Sequence, residues 1–451
     1  MTTTDLIIIG AGPGGYHAAA YAAKKGLGVI IFEAAQAGGT CLNCGCIPTK
    51  TYCHVADVIT EAKEAGGFGI NSLNFDFDFP TLHQHKNEVV AQLRQGVESL
   101  MKMPGITFVE GRASFVDSHT VICNGEQYRA ANIIVATGSG PKMPPIEGIA
   151  DPTVVDSTGL LSMPTLPRKL IIVGAGVIGM ELASAFSTFG TEVTVVEFLK
   201  ECLPTIDAEI AKRLRRQMEK RGVKFYLQSG VKAISNGQVT FEQKGKESSV
   251  CGDVVLVATG RTANTSGLNL EGAGVNCDRK GIIVDDNMLT NQPHIYAIGD
   301  VNGRQMLAHA AEFQARRAVN HILGIADNID LNIMPAAVFT HPEVAGVGLT
   351  EEQCKAQGLN VKSQKSLYRA NGKAVSMNAS DGLLKLIVRA DDPRLPLVGC
   401  HVVGAHAADI VQEATAVMNS SEPYATKLRD IIHIHPTLSE ILLDAASLVE
   451  A

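Results

Sequence analysis

The chain has 451 residues, which leaves room for about three domains at roughly 150 residues each and excludes a single small module. There are 39 basic and 46 acidic residues, a net charge of −7 without long runs of either sign, which argues against nucleic acid or an anionic membrane as a partner. Apolar residues make up 45% and charged residues 19%, so disorder is excluded for most of the length.

The cysteine content and the first residues indicate where the protein works. Ten cysteines are far too few for a disulfide scaffold of this length, so we expect a reduced, cytoplasmic protein. Leu6 to Ala23 is uncharged and by length alone could be a membrane span. It contains four glycines and a proline, no basic segment precedes it, and Lys24 and Lys25 follow it. We therefore predict neither a signal peptide nor a transmembrane helix.

The first predicted unit is a βαβ fold that recurs 164 residues later. Asp5 to Glu33 aligns without gaps on Lys169 to Glu197, and each copy contains an apolar strand, a G-x-G-x-x-G turn, an alanine-rich helix and a strand that ends on an acid. The glycines are Gly10, Gly12 and Gly15 in the first copy and Gly174, Gly176 and Gly179 in the second. Such a turn places a dinucleotide pyrophosphate on a helix N-terminus. The chain is therefore predicted to bind two dinucleotides.

Glu33 and Glu197 end the two copies. A carboxylate there accepts hydrogen bonds from an adenosine ribose and favours a free 2′-hydroxyl over a 2′-phosphate. A single acid at a strand end is often only a solvated charge. Both glutamates, however, lie 23 residues after the first glycine of their turn, and this matched spacing favours nucleotide binding.

Each unit later returns to an apolar strand that ends in Ala-Thr-Gly, at Asn132–Gly138 and Asp253–Gly260. The distance from the first glycine to the alanine of this tripeptide is 126 residues in the first unit and 84 in the second. The first unit therefore carries about 42 extra residues, and a special function of that unit is predicted to lie in them.

The extra segment starts with GGTCLNCGCIPTK, residues 38–50, and continues into an amphipathic helix. Cys41, Cys44 and Cys46 are predicted at the start of that helix, where backbone amides and the helix dipole lower a thiol pKa and favour a reactive dithiol. With Cys53 the set could instead be a metal site, or the thiols could be buried and inert. Spacing alone does not decide between a Cys41–Cys46 and a Cys41–Cys44 pair.

GGTCLNCGCIPTK resembles the redox-disulfide segment of the flavin-dependent pyridine nucleotide-disulfide reductases, and the resemblance extends over essentially the whole chain. It implies a disulfide between Cys41 and Cys46, with Cys46 nearer the flavin and Cys41 exchanging with substrate. Cys44 departs from the family pattern, which usually has an aliphatic residue there. The resemblance assigns FAD to the first unit and NAD to the second. The further cofactor-binding residues that it implies are Thr40, Lys50, Ala113, Thr137, Gly138, Asp300 and Ala308 for FAD, and Gly260 for NAD.

Three segments later in the chain contain some of the residues predicted to bind FAD. YAIGD at 296–300 resembles the second flavin motif, in which Asp300 binds the ribityl chain, although a plain turn explains the pattern equally well. Met306–Ala310 predicts a helix whose first amides, near Ala308, stabilise charge on the reduced flavin. Ala113, within GRASF, resembles an adenine contact, although a simple strand turn would also account for it.

Lys50 and Glu181 are the charged residues expected beside the flavin. Lys50 lies one helical turn after Cys46, and Glu181 follows the second glycine turn within an otherwise apolar helix. The resemblance implies that they form an ion pair, with the lysine adjusting the flavin and the glutamate near the nicotinamide. Without it, they could be two unrelated surface charges.

The segment HIHPTLSE, from His433 to Glu440, resembles the acid-base motif of the family, with His435 as the base and Glu440 orienting it. A dithiol that opens a disulfide must lose a proton, and imidazole accepts one at neutral pH. A carboxylate on the other ring nitrogen fixes the tautomer. From the residues alone, Thr437-x-x-Glu440 is also a capping box, and His433 is a rival base that shares a face with His435 in an extended chain.

The predicted fold is α/β, with two Rossmann-like dinucleotide-binding domains, for FAD and NAD, and a C-terminal α+β dimerisation domain. The predicted segments are 1–145 for the first part of the FAD domain, 146–265 for the NAD domain, 266–334 for the second, central part of the FAD domain, and 335–451 for the interface domain. In the family the histidine motif reaches the disulfide of the other subunit, so the resemblance implies an obligate homodimer.

The resemblance implies oxidation of dihydrolipoamide, with electrons passing through Cys41–Cys46 and FAD to NAD⁺. The implied partners are the lipoyl domain of an acyltransferase or an H protein, and the peripheral subunit-binding region of a 2-oxo acid dehydrogenase complex; no metal is predicted. A glutathione-reductase-like enzyme should prefer NADP, which Glu197 disfavours. A mercuric-reductase-like enzyme should end in a vicinal cysteine pair, and DAASLVEA has none. The alternative outside the enzyme class is a flavoprotein subunit that docks onto a multienzyme complex and whose catalysis is dispensable.

Overall fold

The computed structural model describes residues 1–71 and 73–449. Its first unit is built around one large sheet that contains the first glycine turn. Its elements, in chain order, are β1 (Thr2–Ile9), α1 (Pro13–Lys24), β2 (Val29–Glu33), α2 (Gly39–Cys44), α3 (Cys46–Glu64), α4 (Phe79–Leu100), β3 (Ile106–Glu110), β4 (Ser114–Phe115), β5 (Thr120–Cys123), β6 (Glu126–Val135) and β7 (Ser139–Pro141).

The second unit repeats this plan around its own sheet. Its elements are β8 (Val154–Val155), α5 (Ser157–Ser162), β9 (Lys169–Val173), α6 (Val177–Thr188), β10 (Glu192–Val196), α7 (Ala208–Lys220), β11 (Lys224–Tyr226), β12 (Ser229–Ser235), β13 (Gln238–Gln243), β14 (Lys246–Cys251), β15 (Val254–Val257) and β16 (Arg261–Ala263).

The rest of the chain first returns to the first unit and then forms a third. Its elements are β17 (Ile295–Ala297), α8 (Ala308–Ile322), β18 (Ala336–Val338), β19 (Val344–Gly348), α9 (Glu351–Ala356), β20 (Val361–Leu367), α10 (Gly372–Ser376), β21 (Leu383–Arg389), β22 (Leu397–Val403), α11 (Ala407–Met418), α12 (Ala425–Asp430) and α13 (Glu440–Ser447). Short 3₁₀ turns lie at Ala65–Phe68, Gly299–Asn302 and Tyr368–Ala370.

Each of the two nucleotide sheets has its own core of parallel strands. The first has the order β3-β2-β1-β6-β5-β4, with β17 also paired to β6, and the second has the order β11-β10-β9-β15-β8. Leu6 lies opposite Val29 and Leu170 opposite Val193, so the strand register repeats with the same 164-residue offset as the sequence. The second half of β1 is buried on both faces, as a central parallel strand requires.

The third unit is an antiparallel sheet of order β18-β19-β22-β21-β20, against which α11 and α13 pack. Its Lys385 is buried and contacts Asp207, at the start of α7, at 3.0 Å, which ties this sheet to the second unit. The predicted α/β class, with two Rossmann-like units and a C-terminal α+β unit, is confirmed. Within the described residues, no helix combines the length and apolarity that crossing a bilayer requires.

Candidate active site

A single cavity of about 2880 Å³ connects the two nucleotide units. Both glycine turns, the cysteine segment, both Ala-Thr-Gly returns and the start of α8 line it. Drug-sized ligands occupy pockets of roughly 300–1,000 Å³. The cavity is therefore large enough for two dinucleotides that meet between the units.

Both turns adopt a backbone that favours glycine. The φ angles of Gly10 and Gly174 are 106° and 105°, and a Cβ on either would lie 2.4 or 2.6 Å from the alanine carbonyl oxygen of the facing Ala-Thr-Gly. A Cβ on Gly15 or Gly179 would collide with the carbonyl oxygen of the first glycine in its own turn, so the helix packs directly on the turn. This cradle fits a pyrophosphate at each helix N-terminus.

The two terminal acids are held in the same way. Glu33 accepts the amide of Ala11, inside the first turn, at 2.8 Å, and Glu197 accepts the equivalent amide of Ala175 at 2.5 Å. The second oxygen of each accepts the amide two residues further on, at 2.9 and 2.6 Å. Both carboxylates line the cavity where the sequence predicts an adenosine ribose.

The cysteine segment forms two helices instead of the one predicted. Cys41 and Cys44 lie in α2, and Cys46 is the first residue of α3. Gly45 separates the helices, and a Cβ there would approach the Thr40 carbonyl oxygen at 2.9 Å. The three cysteines are free thiols that line the same cavity. Cys46 begins α3, Cys41 lies in the first turn of α2 and Cys44 ends α2, so Cys44 lacks the helix-start position predicted for all three.

The side chains of Cys41 and Cys46 interact, which links their ionisation. Donation from the Cys41 thiol to Cys46 is the main reason that the pKa of Cys46 falls to about 7 while the pKa of Cys41 rises. The charge of Lys50 lowers the Cys46 pKa further, against the effect of burial. At neutral pH, Cys46 is therefore the favoured thiolate and Cys41 the thiol that donates to it.

Cys53 does not join the reactive thiols. Burial raises its pKa well above the ordinary value. Across residues 1–71 and 73–449, no cluster of three or more His, Cys, Asp or Glu side chains is arranged to hold a metal ion.

Lys50 and Glu181 form the predicted ion pair. The lysine Nζ donates to both glutamate oxygens, at 2.9 and 2.8 Å, and Glu181 is only 2% exposed. Burial opposes the charge of Lys50, but the Glu181 carboxylate outweighs it and the lysine pKa is raised. Glu181 also accepts the Phe339 amide at 2.9 Å, so all three units meet at this carboxylate.

Asp300 lies in the 3₁₀ turn after β17 and lines the cavity. Its Oδ2 accepts the Ser139 hydroxyl at 2.5 Å. Gln314, to which the sequence assigned no role, is fully buried under this turn and accepts the Gly299 amide at 2.8 Å and the Asn302 side chain at 2.9 Å. No pattern in the sequence reveals this role, because it depends on how α8 packs under the turn.

Asn43 and Arg94 also hold the cysteine segment in place, which the sequence does not predict. Asn43, between Cys41 and Cys44, donates to the carbonyls of Ala37 and Gly39 at 3.0 Å, and its own oxygen accepts Arg94 Nε at 2.8 Å. Helix α4 thereby fixes the cysteine segment against the end of β2. The sequence shows no spacing that would reveal a contact 51 residues apart.

Tyr16, on α1, is a third residue that the sequence did not single out. Burial raises the pKa of its phenol to about 12, and the charges of Cys41 and Cys46 contribute to that rise. The phenol therefore lies in the same electrostatic environment as the dithiol and stays protonated at neutral pH.

His435 and Glu440 form the predicted pair. His435 Nδ1 is 2.8 Å from Glu440 Oε1, and Oε2 of the same carboxylate accepts the Thr437 amide at 2.8 Å. The Thr437 and His435 bonds together lower the Glu440 pKa. The glutamate half of the alternative capping box is therefore present, whereas the Thr437 hydroxyl donates to the Ile434 carbonyl and α13 begins at Glu440, so the reciprocal half is absent. The carboxylate contacts both the imidazole and the Thr437 amide.

The prediction that His433 and His435 share a face is wrong. The His433 side chain is 3% exposed, with Nδ1 2.9 Å from the Ile431 carbonyl and Nε2 2.8 Å from Glu413 Oε1. The His435 side chain is 80% exposed. Packing against α11 turns His433 inward and leaves His435 available.

The cavity brings together nearly all the predicted site residues. Thr40, Ala113, Thr137, Gly138, Gly260 and Ala308 line it together with the residues described above. Among the predicted residues that the structure describes, only His435, Glu440 and the third glycine of each turn lie outside its wall. The acid-base pair of one chain is thus separate from that chain's own dithiol.

Two family models match the chain. Residues 4–315 match the pyridine nucleotide-disulphide oxidoreductase model, and residues 334–446 match the dimerisation domain of the same family. Dihydrolipoyl dehydrogenases from Chlamydia muridarum and Bacillus subtilis are each 39% identical to it, over 98% of this chain and 96% of theirs. The mitochondrial dihydrolipoyl dehydrogenase 1 of Arabidopsis thaliana is 40% identical, over 98% of this chain and 89% of its own.

Solved structures give the same fold. The HOCl-induced flavoprotein disulfide reductase RclA from Escherichia coli is 33% identical, with a TM-score of 0.87 over 99% of this chain and 100% of its own. The Cu(II) complex of that reductase is 32% identical, with a TM-score of 0.88 over 100% of both chains.

Proposed function

The chain belongs to the pyridine nucleotide-disulphide oxidoreductase family, and on that premise we propose that it is a dihydrolipoyl dehydrogenase that transfers electrons from dihydrolipoamide to NAD⁺. The observation that carries the proposal is that the thiols of Cys41 and Cys46 both lie on the wall of a cavity that joins two nucleotide cradles. A dithiol in that position can exchange with a disulfide and communicate with a redox cofactor.

The first cradle, which holds the cysteine segment, is assigned to FAD and the second to the nicotinamide nucleotide, as in the family, and Glu197 favours NAD over NADP there. Bound FAD supplies the two-electron relay between the thiols and the nicotinamide. The chain's own part is to hold both dinucleotides by the glycine turns, to place Lys50 and Glu181 beside Cys46, and to present Asp300 to the flavin side chain.

Thiol exchange begins with Cys41 and Cys46 as a disulfide. A dihydrolipoamide thiolate attacks the Cys41 sulfur, the Cys41–Cys46 bond breaks, and Cys46 leaves as a thiolate. The second substrate thiolate then attacks its own mixed-disulfide sulfur, which releases lipoamide and Cys41. The low pKa of Cys46 makes it the better leaving group, which supports Cys41 as the sulfur that is attacked.

His435 takes the proton from the attacking thiol, and Glu440 holds the ring in the required tautomer. Because the pair is exposed and lies outside the cavity wall of its own chain, it serves the dithiol of a second subunit. The active unit is then a homodimer, in agreement with the dimerisation-domain match.

The finer assignments belong to the same proposal. The lipoyl group arrives on a carrier domain, and the enzyme docks on the peripheral subunit-binding region of a 2-oxo acid dehydrogenase complex or serves an H protein. The ten free cysteines suit a reducing cytoplasm. The proposed domain boundaries are 1–145 and 266–334 for the two parts of the FAD domain, 146–265 for the NAD domain and 335–451 for the interface domain.

An NADH titration of the purified protein tests the proposal, with lipoamide, glutathione disulfide, Hg²⁺ and Cu²⁺ offered in parallel. We expect flavin bleaching by NADH and turnover with lipoamide at least tenfold above the other acceptors. Preference for one of the others would overturn the substrate assignment. A Cys46→Ser protein that still supported growth in place of the wild type would instead favour the docking-subunit alternative.

A further inference from the structure

The two Ala-Thr-Gly returns are bonded side by side. β16 pairs antiparallel with β7, with Thr262 opposite Gly140 and Ala263 opposite Ser139. The Thr137 hydroxyl donates to the Asn264 carbonyl at 2.7 Å, and the Thr259 hydroxyl to that of Lys142 at 3.1 Å. The second unit therefore reaches into the first through a short ribbon that lies on the shared cavity.

Arg261, the first residue of β16, ends beside Asp300. Its Nε donates to the Ser139 hydroxyl oxygen at 2.7 Å, and its terminal NH2 nitrogen (Nη2) donates to the Ser139 carbonyl at 2.5 Å. Nε is also 3.8 Å from Asp300 Oδ2. Ser139 is 3% exposed, so its hydroxyl exchanges these partners for water only with difficulty.

The direction of the Ser139 proton follows from the chemistry of its neighbours. A guanidinium has donors and no acceptor, so the hydroxyl must accept from Arg261 and use its single proton elsewhere. Across residues 1–71 and 73–449, the one acceptor paired with that proton is Asp300 Oδ2, at 2.5 Å. The carboxylate is thereby held as an acceptor, and among the described residues none donates to its other oxygen, Oδ1.

We propose that Arg261 is a positioning residue for the flavin site: acting through Ser139, it orients Asp300 so that Oδ1 accepts a hydroxyl of the FAD ribityl chain. Because Arg261 belongs to the second unit, this unit contributes to flavin retention in the first. The inference rests on the assignment of FAD to the first cradle and extends it to a residue of the second unit.

The test measures how tightly the holoenzyme holds FAD, as free flavin fluorescence over a dilution series. Arg261→Met should raise the FAD dissociation constant about tenfold, the loss expected for a charge-assisted hydrogen-bond chain. Ser139→Ala should have a similar effect, and Arg261→Lys a smaller one because a point charge replaces the fork. Arg389→Met is the matched control and should leave FAD retention unchanged, since Arg389 makes a similar fork to Asp391 but lies outside the cavity.

A double-mutant cycle distinguishes a positioning role of Arg261 from a general structural role. In an Asp300→Asn background, which keeps the shape but weakens the acceptor, Arg261→Met should change the FAD dissociation constant less than twofold. An undiminished effect there, or retention unchanged by both Arg261→Met and Ser139→Ala, would overturn the inference. Ser139→Ala keeps the test informative if Arg261→Met does not fold. A wild-type protein that binds no FAD would instead contradict the proposed function.

Discussion

Cys41 and Cys46 are five residues apart and have opposite acidities. The interaction between the two side chains lowers the pKa of Cys46 and raises the pKa of Cys41. The charge of Lys50 lowers the Cys46 pKa further. The sulfur proposed to exchange with substrate and the thiolate proposed to lie beside the flavin thus differ in acidity without any bound cofactor. Residue identity alone leaves the two sulfurs equivalent.

The pH dependence of alkylation at Cys46 follows from this. The thiolate is present above its pKa and is lost as the pH falls, so the rate of modification of the reduced protein should rise with pH with a midpoint near 7. Cys41→Ala removes the largest cause of the shift and should move the midpoint upward. Modification by iodoacetamide, assigned to Cys46 by fragment mass spectrometry, measures it.

Cys44→Ala is the matched control for that experiment. It removes the third thiol of the segment, leaves the Cys41–Cys46 bond in place, and should keep both the midpoint and the reduction of lipoamide. An unshifted midpoint in Cys41→Ala, or an upward shift in Cys44→Ala, would contradict the assignment of the pair.

The buried and exposed histidines of the C-terminal motif make a second prediction. His435→Gln should lower kcat/KM for dihydrolipoamide by roughly 10²–10⁴-fold, the usual contribution of a general base. His433→Gln should leave the pre-steady-state rate of thiol oxidation within a few fold, because its ring contacts Glu413 and not solvent. Stopped-flow reduction by dihydrolipoamide distinguishes the two. A larger loss with His433→Gln would reverse their roles.

Among single residues, those that belong to a motif shared with the family could be predicted, and those that depend on tertiary packing could not. Lys50 and Glu181 could be paired because the family resemblance implies their ion pair, and the structure confirms it. Gln314 could not be assigned because its two bonds, to a backbone amide and to Asn302, depend on how α8 packs under a turn. Hydrogen bonds of this kind leave no periodicity in the chain.

At the scale of elements, the break between α2 and α3 determines where the sulfurs lie. A continuous helix was the natural expectation for the segment, since Pro48 is tolerated in a first turn. Gly45 interrupts it, and Asn43 and Arg94 fasten the resulting loop to α4. The separate helices allow Cys41 to meet Cys46, five residues later.

Asn43→Leu tests this fastening. It removes the donor to two backbone carbonyls and leaves them half-buried, so we expect the free energy of unfolding to fall by about 1–3 kcal/mol. Arg94→Met, which loses one bond, should cost about 1 kcal/mol. Urea unfolding of the reduced protein gives both values. Equal stability of Asn43→Leu and the wild type would show that the loop does not depend on this side chain.

Over the whole molecule, the internal repeat predicted most of the architecture. A 164-residue offset in sequence became the same offset in strand register, because the glycine turn and the apolar strands constrain one βαβ solution. The ribbon between β7 and β16 was not predictable, since it depends on how two separately foldable units meet. The placement of His435 outside its own cavity, by contrast, agrees with what the family resemblance implies.

That placement makes a prediction about subunits. In a heterodimer of Cys46→Ser and His435→Gln chains, an acid-base pair acting across the interface combines intact Cys46 of one chain with intact His435 of the other. Such a heterodimer, isolated with two affinity tags, should have about half the wild-type activity, from its one complete site, while both homodimers are inactive. A pair acting within its own chain leaves no complete site, so an inactive, dimeric heterodimer would refute the shared arrangement.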